Sequence, residues 1–208
     1  MSPEAVTAER VHAELKAVIM SGRYVPGAAL NIHDLAELVG TSITPVRDVL
    51  QRLVGERLVG LGHGGGFQIA PMNEAGLRDL YLWHGRLLRD AVNSGGTYRN
   101  GGDLTRTISL PDESDPAVLA GAMADFFARL GEWSGSAEHV HAIRSAGDRL
   151  HAARVHEAGL KRPIDELRTL WVLANSDSRA NLRAAVSSFH RRRIQNAGKT
   201  IMRMALQS

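Results

Sequence analysis

The chain has 208 residues, 44% of them hydrophobic and 23% charged, a balance that suits packed cores and excludes global disorder. It contains no cysteine, which removes disulfides, zinc fingers, iron–sulfur clusters and thiol nucleophiles together. The net charge is only +3, and residues 1–72 hold six basic residues against seven acidic ones, so nucleic-acid binding would have to rest on a motif and not on bulk charge.

No apolar run reaches the roughly 18 residues that a membrane span needs, and the first ten residues lack the apolar core of a signal peptide. A cytoplasmic protein without membrane contact is expected. The length suits one domain of about 70 residues followed by one of about 130, and we place the boundary between residues 72 and 73.

Val11, Leu15, Val18 and Ile19 draw a single apolar stripe on a first helix, which Gly22 ends and the Pro26-Gly27 turn follows. Asn31 then reads as an N-cap, with Asp34 at the third helical position and Leu35, Leu38 and Val39 facing inward up to Gly40. A short turn, Thr41-Ser42-Ile43, leads to Thr44-Pro45. Thr44 is expected to cap a third helix with Pro45 at its first position, where a missing N–H costs nothing. Val46, Val49, Leu50, Leu53 and Val54 form the inward face of that helix, while Arg47 and Gln51 share another. Two short helices around a tight turn, the second opening on Thr and Arg, follow the helix-turn-helix plan, in which the start of the second helix meets base edges. Leu58–Leu61 and Phe67–Ala70 then read as strands around His63-Gly64-Gly65-Gly66, a hairpin with a glycine-rich tip, hence a wing.

These residues carry a family resemblance. The stretch Ile19-Met-Ser-Gly-Arg-Tyr-Val-Pro-Gly-Ala-Ala-Leu30 resembles the opening of GntR-type regulators. Asp34 through Leu53, with Pro45-Val46-Arg47 and the Leu50/Leu53 pair, is similar to the helix-turn-helix core of that family, and Gly66-Phe67-Gln68-Ile69 to its wing strand. The resemblance implies double-stranded DNA as partner, with contacts from His33, Ser42, Ile43, Thr44 and Arg47 and from His63 and Gly64 at the wing tip. Ile43 departs from the arginine usual in the family. It cannot make the bidentate guanine contact of an arginine, but it suits a thymine methyl.

Beyond residue 73 helical stripes dominate: Leu77 to Ala91, Val118 to Leu130, Val140 to Leu150, Ile164 to Ala174 and Leu182 to Ile201. Asp115-Pro116 and Arg162-Pro163 read as helix starts, and Asn93 to Asp103 as a loop. A bundle of about six helices is expected, and the fold as a whole is mainly α: a winged helix-turn-helix with a β-hairpin wing, then an all-helical domain. Leu80-Tyr81, Arg86-Leu87-Leu88 and Phe126 to Gly135 resemble landmarks of the FadR-type branch, whose bundle dimerises and binds an effector. Many members of that branch hold a metal on one Asp and three His. At the matching positions this chain has Met123, Phe127 and Leu167 or Arg168, which leaves His190 alone. Met and Phe do not replace such ligands. The expectation is therefore no metal, no cofactor, and a more apolar pocket around His84, Met123, Phe127 and His190.

Other constellations carry less. His139 and His141 diverge by about 200° on a helix and cannot chelate together. His63-Gly-Gly-Gly66 superficially matches an esterase oxyanion loop, but no G-x-S-x-G elbow accompanies it, and nothing forms a catalytic set. Trp83, Trp133 and Trp171 read as core, and Arg191-Arg192-Arg193 as a solvated helix face. The sequence thus points to a homodimeric regulator, a repressor, that binds a pseudo-palindromic operator and answers to an apolar or carboxylate-bearing effector. The alternative is a DNA-binding regulator controlled by a protein partner through the same bundle.

Overall fold

A computed structural model describes residues 3–62, 64–94, 115–157, 160, 162–176 and 178–206. The chain divides into two compact units, Met1–Met72 with Met204–Ser208, and Asn73–Arg203. The loop expected from Asn93 to Asp103 and the wing-tip residue His63 lie largely or wholly outside the described residues.

In the first unit, α1 (Pro3–Met20) runs to the turn where Gly22 takes a φ of 77°. Next come β1 (Ala29–Leu30), α2 (Ile32–Leu38), α3 (Ile43–Gly55), β2 (Val59–Leu61) and β3 (Phe67–Ile69). Asn31 caps α2 as expected, its side chain accepting from the His33 N–H at 3.0 Å. The turn into α3 needs Gly40, whose φ of 63° is left-handed and would strain a side chain. The start of α3 differs from the expectation. The extended residue is Ser42, not Thr44, so helical geometry begins at Ile43 and Pro45 falls third. Proline still fits there, because the first four N–H groups of a helix have no partner inside it.

The three strands form one antiparallel sheet in the order β1-β3-β2, with Leu30 opposite Phe67 and Val59 opposite Ile69. The hairpin β2–β3 is the expected wing. The two-residue β1 that flanks it is too short to leave a periodicity in the sequence. One core joins everything: Val11, Leu15 and Ile19 from α1, Leu35 from α2, Val46, Leu50 and Leu53 from α3, and Val59, Phe67 and Ile69 from the sheet. Truncating one fully buried leucine here, such as Leu50, would cost about 2–5 kcal/mol, enough to unfold a marginal domain.

The second unit contains, among the described residues, α4 (Glu74–Ser94), α5 (Pro116–Gly131), a 3₁₀ turn (Glu132–Ser134), α6 (Ala137–Val155), α7 (Pro163–Ala174) and α8 (Arg179–Ala205). Asp115 caps α5, accepting from Ala117 N–H at 2.8 Å, and Pro163 opens α7. Leu88, Met123, Phe126, Phe127, Leu167, Val186 and Phe189 meet in its core. Gly85 lets α8 approach α4 closely, since a Cβ at that position would lie 2.9 Å from the His190 ring.

Sequence expectations of burial fail at three positions in this unit. Trp83 is 48% exposed, and Val118 52%; Trp83 lies well off the arc that carries Leu77, Leu80, His84 and Leu88 inward. Arg193 is not solvated but 2% exposed. It sits on the apolar stripe of α8, four residues after Phe189 and four before Ala197, and the adjoining Arg191 and Arg192 disguise it as part of a charged run.

Candidate nucleic-acid interface and effector site

The outer face of α3 is polar and open. Ser42, Thr44, Arg47, Asp48 and Gln51 are exposed, while Val46, Val49, Leu50 and Leu53 are buried on the opposite face. Thr44, Arg47 and Gln51 follow one another at helical spacing and present a single row. Ile43, 37% exposed at the helix start, adds an apolar side chain to that end. Arg47 makes no ion pair among the described residues, so its guanidinium is available. Its neighbours differ: Arg52 bonds Glu9 at 3.0 Å, and Lys16 bonds Glu56 at 2.8 Å. Burial pushes the Glu56 carboxyl up, but Lys16 and His12 outweigh it and hold the group below the usual carboxylate range. These pairs tie α1 to α3 and set the helix that carries Arg47.

His33 is exposed at the start of α2, and Gly64 is exposed at the wing tip with a φ of 83°. The backbone of Gly62 donates to Gly66 O at 2.8 Å, closing the hairpin beneath that tip. All the sequence-selected DNA-facing residues that are described, from His33 to Gly64, are thus on the surface of the first unit.

In the second unit the four residues selected from the sequence come together. His84 and His190 are both buried, with Nδ1 of His84 2.9 Å from Nε2 of His190. Phe127 stands edge-on to His84, ring centroids 5.2 Å apart, and Met123 belongs to the same core. His190 is alone only among the family's metal-ligand positions; His84 of α4 faces it, as their grouping in one site implies. The surroundings are less apolar than expected, because Arg154 of α6 places its guanidinium carbon 5.4 Å from the centroid of the same Phe127 ring. Arg154 escaped sequence reading although it continues the stripe of Ile143, Ala146 and Leu150; a charged residue at an apolar position was the signal.

The protonation pattern follows from the bonds. Nδ1 of His190 lies 2.7 Å from the Val186 carbonyl, which can only accept, so that nitrogen carries the proton. Burial, reinforced by the charge of Arg154, lowers the His190 pKa to about 3 despite the Val186 bond, which acts the other way. A neutral His190 then presents a lone pair at Nε2, and His84 Nδ1 must donate to it. Burial and the positive charge of Arg154 also hold His84 neutral, well below its ordinary range. Its second nitrogen, Nε2, is left as a buried acceptor with no partner among the described residues.

Beside this pair lies an ionic network. Arg193 forks onto Glu157, its Nη2 bonding Oε2 at 2.8 Å, and donates to Glu166 at 2.6 Å while stacking over Phe189. Tyr81 donates its hydroxyl to Glu157 at 3.1 Å; burial first, then the charge of Glu157, drives the phenol pKa far up.

A metal of the kind that the FadR-type resemblance implies does not fit these residues. The nitrogens that meet between His84 and His190 are used on each other, His190 Nδ1 is used on Val186, and no third His, Asp or Glu joins them among the described residues. Divalent metals of this kind need three or four converging donors.

A three-helix unit with a tight turn between its second and third helices, a β-hairpin wing and an open polar face on the third helix has the architecture of a winged helix-turn-helix. Residues 7–69 match the model of the bacterial regulatory proteins of the gntR family. A curated relative described as an uncharacterized HTH-type transcriptional regulator in an unstable DNA locus of Streptomyces ambofaciens is 31% identical over 121 residues, 58% of this chain. The match spans 44% of that relative's length. Among solved structures, E. coli McbR/YncC is similar with a TM-score of 0.74 and 19% identity, covering 92% of this chain and 97% of its own. A GntR regulator from Rhodococcus sp. RHA1 is similar with a TM-score of 0.71 and 21% identity, covering 95% and 98%. At these identities the likeness is one of fold, and it extends through the helical unit.

Proposed function

We propose that the chain is a sequence-specific transcription regulator that binds a pseudo-palindromic operator as a homodimer. The open row Thr44-Arg47-Gln51 on α3, backed by a rigid apolar core, carries this reading. A helix so presented fits the major groove, and the wing tip at Gly64 suits the neighbouring minor groove. His33, Ser42 and Ile43 complete the contacting set, and His63 is assigned with them from the sequence alone. One half-site offers a single winged helix little contact. Two copies spaced by about one helical turn of DNA, roughly 34 Å, supply the rest. Exposed Leu82 and Trp83 on α4 favour the helical unit as the place where two copies meet, since large apolar groups on an open surface mark contact sites.

The helical unit senses an effector, and the dimer acts as a repressor by occupying promoter DNA. His84, Met123, Phe127 and His190 line the effector site. The unsatisfied polar atoms at this core favour a small molecule over a protein partner, which would use an exposed face. Selection of genomic fragments by the purified full chain, followed by gel shift on the recovered sequence, tests the reading. A twofold-related consensus and a dimer mass in light scattering are expected. Absence of any selected sequence, or a monomer mass throughout the micromolar range, would refute it.

A further inference from the structure

Arg154 stands in the last turn of α6, 4% exposed, with Nε, Nη1 and Nη2 all buried and without a hydrogen-bond partner among the described residues. A guanidinium carries five N–H donors and stays charged in proteins, so leaving it dry and unbonded is strongly unfavourable. Its contact with the Phe127 face offsets only a small part of that cost. The carboxylates near it are committed elsewhere. Glu157 gives both oxygens to Arg193, and Glu166 gives one to Arg193 and the other to Arg192. Three guanidiniums therefore share two carboxylates, and one positive charge is in surplus. Asp148 acts on Arg154 more weakly than Glu157 does.

Two more unsatisfied atoms border the same place. His84 Nε2 is one, an acceptor by the proton count given above, and His84 touches the same Phe127 ring as Arg154. The other is His151 Nδ1, three residues before Arg154 on α6 and so on the same side of that helix. A forked donor and an acceptor set against one aromatic ring are the parts of a ligand site.

We propose that Arg154 and His84 form an anion-binding site inside the helical unit, Arg154 gripping the carboxylate of a small organic acid while His84 Nε2 accepts from a hydroxyl or another neutral donor on the same molecule. This deepens the effector reading and rests on it. A monoanion cancels the surplus charge, whereas a phosphate dianion would leave a buried negative charge of its own. A ligand ammonium would add a second cation beside Arg154, so the donor is a neutral one. The fork of a guanidinium matches the two oxygens of a carboxylate in a way that a point charge does not.

Thermal unfolding of the full chain tests this, in short- to medium-chain monocarboxylates each paired with its 2-hydroxy counterpart, at constant ionic strength, with chloride and phosphate as controls. The best-fitting hydroxy acid should raise the melting temperature of the helical unit by about 5 °C or more at a hundredfold excess over its Kd. The matched plain acid should bind about tenfold more weakly, for want of the bond to His84. Arg154→Met should abolish both responses, and His84→Phe should erase the preference for the hydroxyl. Arg154→Lys keeps the charge without the fork; weakening of about tenfold is expected, and this variant decides the matter if Arg154→Met does not fold. No response of the wild type to any carboxylate, an undiminished response in the Arg154 variants, or a response to phosphate alone would overturn the proposal. Operator binding is measured in parallel without ligand. Intact DNA binding with no carboxylate response refutes this site alone, and a carboxylate response without sequence-specific DNA binding refutes the regulatory reading alone.

Discussion

His84 on α4 and His190 on α8 share a single hydrogen bond of 2.9 Å from Nδ1 to Nε2, and the Val186 carbonyl fixes its direction. The pair therefore holds two protons and stays neutral. Protonating either ring would set two like charges, or a charge and a misdirected donor, in a site that already contains Arg154.

This makes the helical unit acid-sensitive. His190 titrates near 3 when folded and His84 well below 6.5, against the ordinary 6.5 of an unfolded chain. Between those limits the unfolded chain binds protons that the folded one refuses. The stability from neutral rings is thus complete above about pH 6.5 and is lost as pH falls towards the folded values, at roughly 1.4 kcal/mol per ring for each unit. Chemical denaturation at several pH values should show this slope, and His190→Leu should flatten it. An equal slope in that variant would refute the assignment.

Arg47→Ala should weaken operator binding by about 1–3 kcal/mol if the guanidinium reads a base edge, with no change in melting temperature, because the side chain is exposed and unpaired among the described residues. Gel-shift affinity equal to the wild type would show that α3 does not enter the groove in this way.

Ile43→Arg should move base preference towards guanine, since arginine forks onto O6 and N7 where isoleucine offers only an apolar contact. Selection from random DNA by both proteins is the measurement, and one shared consensus would tell against a base-facing Ile43.

Purified without chelator or affinity tag, the protein should carry no stoichiometric zinc or nickel. The donors that His84 and His190 turn towards each other are bonded together, and no third ligand converges on them among the described residues. One equivalent of metal per chain in elemental analysis, lost in His190→Ala, would contradict this.

The first unit was largely readable in the sequence, and the second only in outline. The capping Asn31, the left-handed Gly40 and the stripe of α3 each leave a local chemical mark, and such marks accumulate over a short, regular motif. Arg154 and Arg193 leave none of that kind. Each occupies an apolar position of its helix, and its role depends on partners far along the chain: Glu157 and Glu166 for Arg193, and Phe127 for Arg154. His84 and His190 are separated by 106 positions, so their bond exists only once α4 and α8 pack across Gly85. Trp83 shows the opposite case: its aromatic type suggests the core, but its angular position on α4 points outward.

The two buried arginines should respond in opposite ways to removal. Arg193 is fully engaged, donating to Glu157, to Glu166 and to the Phe189 carbonyl, with its plane over the Phe189 ring. Burial works against its charge, but Glu157 more than compensates and the pKa is raised. Arg193→Met leaves Glu157 and Glu166 without their shared partner, and breaking a buried pair on one side costs about 3–5 kcal/mol. Arg154 instead forfeits no hydrogen bond to any described residue when replaced by Met in ligand-free protein, and the variant loses a charge that burial disfavours. It should be as stable as the wild type or more so. The partner carboxylates supply the control: adding Glu157→Gln to Arg193→Met should recover part of the loss, because the orphaned negative charge disappears, whereas Glu157→Gln alone should destabilise by exposing Arg193 in turn. Urea denaturation of the four proteins of that cycle measures the coupling, expected at about 1 kcal/mol or more. Additive losses, with no recovery in the double variant, would mean that Arg193 acts through its packing on Phe189 and not through the carboxylates.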